Sequence, residues 1–230
     1  MVLGKGEHGD TLTNVVDNDG VQDLRPPAPG TRAKILDAAR TVFGHSGYRG
    51  GRTVDIAELA GITERTLFRH FPTKAELFTV AVVEPVHDYI AAFVQDWTQR
   101  EHGVRSAYDE ARLFYKGLLE MLDKHRGLMV ALIAARTFDD PDSNLFPRLD
   151  SEFAEILSAA EPTMRAESQA RGFRGEAPIN VRLMFGLAIT MSLHGDWLFT
   201  AKNIPERDTL LDELTTFTLL GFTGGPQSAR

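Results

Sequence analysis

The chain has 230 residues, 25% of them charged, a formal net charge of −7 and no cysteine. That length suits one or two domains with a sizeable core, and the composition is that of an ordinary globular protein. The absence of cysteine excludes a disulfide, a thiol sensor and a thiolate metal site. No stretch reads as a signal peptide or a membrane span, so the expected compartment is the cytoplasm.

Residues 1–28 are rich in Gly, Asp and Asn and run into the proline-rich RPPAPG. They show no helical period and are expected to form a disordered tail. Their acidic balance argues against an arm that grips DNA. From Thr31 onward the pattern is helical. Ile35, Ala38, Ala39, Val42 and Phe43 make one face of a first helix.

Residues 53–78, TVDIAELAGITERTLFRHFPTKAELF, carry the strongest signal. Thr53 is expected to cap a short helix with Ile56, Leu59 and Ala60 as its apolar face. Gly61 stops that helix, where a left-handed backbone costs least. Thr63 caps the next helix, and Leu67 and Phe71 form its buried stripe. Arg65, Phe68 and Arg69 then project from the opposite side, flanked by Thr66 and His70. Pro72 ends the helix, and Thr73 with Glu76 fits a capping box for the one that follows. The spacing alone fits two readings. One is a helix-turn-helix whose second helix enters the major groove. The other is a structural helical hairpin with a solvated basic face. Arginine can pair with guanine, a threonine methyl can touch a thymine methyl, and His70 and Lys74 can reach phosphates. Residues 31–80 carry eight basic and five acidic side chains, against fifteen and twenty-two in residues 81–230. A basic head on an acidic body orients the head toward DNA.

Residues 31–78 resemble the DNA-binding domain of the TetR family of bacterial transcriptional regulators. TRAKILDAARTVFGHSGYRG, TVDIAELAGIT and TLFRHFPTKAELF carry the likeness. Phe68 stands where the family usually has tyrosine, which removes one hydroxyl contact to phosphate. The resemblance implies an all-α fold with an N-terminal three-helix DNA-binding domain at 29–89, its helix-turn-helix at 53–72. A helical ligand-binding and dimerisation domain is expected at 90–230. The DNA-contacting set is Thr53, Thr63, Arg65, Thr66, Phe68, Arg69, His70 and Lys74.

A longer helix is expected over 73–98, with Pro85 kinking or interrupting it. Further helices are expected near 104–123, 126–137, 144–170, 178–201 and 206–221, with Pro147 and Pro162 breaking or bending the third. DDPDSN at 139–144 reads as a turn. Tyr89, Phe93, Trp97, Phe114, Tyr115, Met121, Met129, Phe138, Phe146 and Phe153 fit either a core or a cavity wall. The resemblance implies a small apolar effector between these helices, with Tyr89, Phe93, Trp97, Phe114, Met121, Phe138 and Phe153 as lining. His125, Arg126 and Asn144 are candidate polar anchors. The last two helices carry Met184, Leu187, Met191, Leu210, Leu214 and Phe217, with small residues at Gly186, Ala188 and Ser192. That surface fits either an intramolecular hairpin or a homodimer interface, and a two-headed DNA binder calls for the dimer. Glu84 with His87, and His194 with Asp196, lack a third metal ligand at convincing spacing. There is no phosphate loop or nucleophile elbow. The expectation is a ligand-responsive repressor of a near-palindromic operator, with no enzymatic activity, cofactor or metal. An activator, a ligand-independent repressor and a helical binding protein with a vestigial head are the alternatives.

Overall fold

The computed structural model describes residues 30–99, 105–138, 145–200 and 202–223. The expected tail at 1–28, the turn at 139–144 with Asn144, and the side chain of Phe146 lie outside the described residues. Among the described residues there is no strand. The helices are α1 (Thr31–Gly50), α2 (Thr53–Leu59), α3 (Glu64–His70), α4 (Lys74–Thr98), α5 (Ala107–Lys124), α6 (Arg126–Phe138), α7 (Leu145–Ala159), α8 (Glu161–Arg171), α9 (Ala177–Leu198) and α10 (Arg207–Thr223).

The head forms because short local signals agree with one small core. Phe43, Ile56, Leu67 and Phe71 converge on Leu77, Phe78, Ala81 and Val82 of α4, all buried. Phe43 meets Phe78 edge to face at 5.0 Å. Gly61 takes φ 69°, and the Ile62 amide reaches back to the Ala57 carbonyl at 3.0 Å, which closes α2. Thr63 Oγ1 accepts the Thr66 amide, and Thr73 Oγ1 accepts the Glu76 amide. Such caps are each worth about 1 kcal/mol. Two details depart from the expectation. Thr53 is not a cap, since Arg52 occupies that position without a side-chain bond; Thr53 Oγ1 instead donates to Glu64 Oε1 at 2.5 Å. Leu59 is 58% exposed, and Ala57 fills its place in the core, because the face is centred one residue earlier.

Pro85 does not interrupt α4, which runs unbroken from Lys74 to Thr98. A proline removes the N–H that the carbonyl four residues earlier needs. That carbonyl is Ala81 O, and Arg40 Nε of α1 donates to it at 3.3 Å. Arg40 also pairs with Glu84 at 2.5 Å, and Arg32 pairs with the same carboxylate at 2.8 Å. The head is thus stitched to α4 at the one place where the helix lacks its own bond. Over an 18-residue window α4 has mean hydropathy 1.5, so it is long and apolar enough to cross a membrane, contrary to the sequence expectation. Its apolar residues pack instead against α1, α5 and α7.

The body is built on α5 to α10. The expected helix over 144–170 is two helices, parted at Ala160, because Pro162 fits a first turn and not an interior. Pro147 is tolerated in the first turn of α7 for the same reason. Tyr115 of α5 and Thr218 of α10 share a buried hydrogen bond of 2.6 Å, and burial pushes the phenol up to about 12. Arg112 reaches Asp208 and Asp212 of α10, and its guanidinium holds the Asp212 carboxyl below its usual range. Head and body also touch where α1 crosses α6. A Cβ on Gly127 would lie 2.7 Å from the Gly44 carbonyl oxygen, so only glycine allows that crossing.

Candidate nucleic-acid interface and effector cavity

The turn geometry fixes what α3 presents. With Leu67 and Phe71 buried, Arg65, Phe68 and Arg69 are exposed together on the far side. Thr66 is half-buried, and Thr63 is held at the N-terminus by its capping bond. His70 is placed differently from its neighbours: its Nε2 is buried without a hydrogen-bond partner. Burial first, then Arg69 and Arg32, hold its imidazole below the ordinary value. Lys74 donates to the Arg49 carbonyl at 3.2 Å and lies 4.9 Å from the Tyr48 ring centroid. With Arg52, Thr53 and Glu64 it borders an open cleft at the start of α2.

A second feature sits at the far end of α4. Ile90, Phe93, Val94 and Trp97 line a cavity closed by α5, α7, α8, α9 and α10. Phe93 stacks edge-on against both Trp97 and Phe114. The unfilled volume is about 50 Å³, so an occupant larger than a few waters must push these walls outward. Of the expected lining, Phe93, Trp97 and Phe114 face the cavity. Tyr89, Met121, Phe138 and Phe153 do not line it. Tyr89 turns to donate its hydroxyl to the Phe114 carbonyl at 2.5 Å, and burial raises its pKa. Phe138 is 75% exposed, and Phe153 lines an open groove between α6, α7 and α9. Sequence reasoning missed Met164, Glu167, Arg171, Phe185 and Phe222. The proposed anchors lie elsewhere: His125 borders a cleft beside α1, and Arg126 bonds the Leu193 carbonyl and Asp196.

The terminal helices divide into an inner and an outer face. Met184 lines the cavity and Leu214 is 6% exposed, so both belong to the subunit's own core. Ala188 and Ser192 are buried too, with Ser192 Oγ donating to Asp123 at 2.6 Å. Leu187, Met191 and Leu210 are half-buried. The exposed large apolar side chains here are Ile179, Leu183, Trp197 and Leu198 on α9 and Phe217 and Leu220 on α10, with Phe217 67% and Trp197 81% exposed. Residues 179, 183, 186, 190, 194 and 197 follow one helical stripe along α9. Ile179, Leu183 and Trp197 on that stripe, with Gly186, Thr190 and His194 between them, make it a candidate interaction surface.

A glycine turn and a capped second helix with an exposed basic face give the chain a helix-turn-helix head on a helical body. Residues 35–81 match the family of bacterial regulatory proteins, tetR family. The HTH-type transcriptional regulator TtgR of Pseudomonas putida is 37% identical over 73 residues, 31% of this chain and 35% of that protein. Thus the chain spans about a third of the length of that curated relative. The HTH-type transcriptional regulator LmrA of Bacillus subtilis is 27% identical over 177 residues, covering 75% and 88% of the two chains. The crystal structure of the transcriptional regulator FadR from Bacillus subtilis in complex with stearoyl-CoA has the same fold, with a TM-score of 0.61 at 17% identity over 83% of this chain and 98% of that one. The likeness to that family is thus carried by residues 35–81.

Proposed function

We propose that this protein is a homodimeric, ligand-responsive transcriptional repressor acting in the cytoplasm. Residues 29–89 would form the DNA-binding unit and 90–230 the effector and dimerisation unit, the boundary falling inside α4. The observation that carries the reading is the joint exposure of Arg65, Phe68 and Arg69 on a rigidly capped α3. Arg65 and Arg69 read base edges; Lys74, Thr53 and Thr63 position the head on the backbone. Two heads related by a two-fold axis meet major grooves about 34–36 Å apart, which makes the operator near-palindromic. An apolar effector in the cavity spreads its walls, displaces the end of α4 and misplaces the heads. It acts only through its different affinity for the two arrangements.

Selection of bound duplexes from a random pool tests this. Enrichment of a two-fold symmetric site is expected. Arg65→Ala or Arg69→Ala is expected to cost about 1–3 kcal/mol and relax one position in each half-site. Binding of all duplexes with equal, purely salt-dependent affinity would leave only a vestigial head.

A further inference from the structure

Two apolar spaces in the body share one residue. The cavity beside α4 has about 50 Å³ of unfilled volume. The open groove between α6, α7 and α9 has about 400 Å³. Sites for small molecules hold about 300–1,000 Å³ and are mostly apolar. The groove meets that size and the cavity does not. Met129, Leu149 and Leu193 form its buried floor. Leu132, Phe153 and Ile189 stand half-buried at its sides. Arg136 and Asp150 are ion-paired at its rim. Phe185 of α9 is the one described residue that borders both spaces, and it is 5% exposed.

Resting on the reading of the inner cavity as the effector site, we propose that the groove is the outer chamber of that site and that Phe185 is the gate between the two. The ligand is an elongated, mainly apolar molecule. It beds in the groove and, with Phe185 turned aside, reaches the inner wall at Phe93 and Trp97. The reason is volume and continuity. The inner cavity alone has no room for such a molecule, and close-packed walls yield little. Turning one ring joins it to the larger space beside it. In a helix such a ring has two favoured χ1 wells, so a single rotamer step moves it. The neighbours on α9 are Met184 on the cavity side and Ile189 on the groove side, both apolar. The step therefore strips no polar group of a partner along this wall, which would be costly. Two spaces in series, each apolar, call for a ligand that is long and not globular.

The chain has two tryptophans, Trp97 on the inner cavity wall and Trp197, 81% exposed on α9. In the full chain labelled with fluorotryptophan, decan-1-ol should move the fluorine signal of Trp97 and leave that of Trp197. Stopped-flow tryptophan emission then gives the rate at which Trp97 responds. Phe185→Leu shortens the gate and should speed the response about tenfold, as for a barrier lowered by about 1.4 kcal/mol. Ile189→Phe fills the groove without touching the inner cavity. It should slow the response by a similar factor, and it serves if Phe185→Leu does not fold. A Trp97 response at an unmoved rate in either folded variant overturns the inference and leaves the cavity reading intact. Changed sedimentation of Ile189→Phe with an unmoved rate gives the groove to a second copy of the chain, which also overturns it. No Trp97 response at saturating decan-1-ol sinks the cavity reading and this inference together.

Discussion

The two halves of α4 share one helix and obey different packing rules. Before Pro85, Leu77, Phe78, Ala81 and Val82 are wholly buried and locked against the head. After it, Phe93, Val94 and Trp97 are half-buried and border unfilled space. A close-packed half transmits a displacement, because interiors at crystal density do not absorb it. A half beside a cavity can accept one. The change falls beyond Ile90, since Val86 and Ile90 are still wholly buried; the bond that Arg40 of α1 supplies at Pro85 lies on the close-packed side of it. α4 is therefore a rigid head mount with an adjustable far end.

The sharpest way to break this comparison is to truncate one aromatic in each half. Phe78→Ala should cost about 3–5 kcal/mol, as for a filled core site. Trp97→Ala should cost well under half of that, because the wall it leaves already borders a void. Denaturant unfolding of both variants decides it, and equal losses would erase the distinction. Arg40→Leu is next in size. It leaves the Ala81 carbonyl and the partly buried Glu84 short of a partner, at about 1–3 kcal/mol. It should also loosen amide exchange around residue 85 more than at residue 95; uniform protection along α4 would contradict the stitch.

The smallest effect concerns pH. Burial, with Arg69 and Arg32 nearby, holds the His70 pKa in the folded head below its ordinary 6.5. Below pH 6.5 the unfolded chain binds a proton that the folded head resists. The stabilisation is present above that value and declines as pH falls toward the folded pKa. Thermal unfolding between pH 7.5 and 5 should therefore fall less steeply in His70→Leu than in the parent. Parallel slopes would show that His70 titrates freely.

The head was legible because its signals are local. Gly61, Thr63, Leu67 and Phe71 each act on neighbours within a turn, and all four stand where the spacing put them. Leu59 was misplaced by one residue of helical phase, an error that a seven-residue helix is too short to expose. The cavity was only partly legible. Residues 89, 93 and 97 are spaced by four, but each step overshoots the 3.6-residue turn, so Tyr89 is rotated out of the stripe that holds Phe93 and Trp97. Glu167 and Arg171 lie on a polar helix that carries no sequence sign of facing a cavity. Met184 went to the dimer surface because α9 is apolar on both sides, and periodicity cannot say which side is inner. Phe217, 67% exposed, and not Leu214, is consequently the residue to charge when the proposed dimer is to be tested without unfolding the chain.

Calorimetry of decan-1-ol binding, with and without the selected operator duplex, tests the link between cavity and head most directly. If spreading the cavity tilts the heads, operator should weaken decan-1-ol binding, and decan-1-ol should weaken operator binding by the same factor. Decan-1-ol affinity unchanged by saturating operator would contradict the switch, even with DNA binding and cavity binding each established.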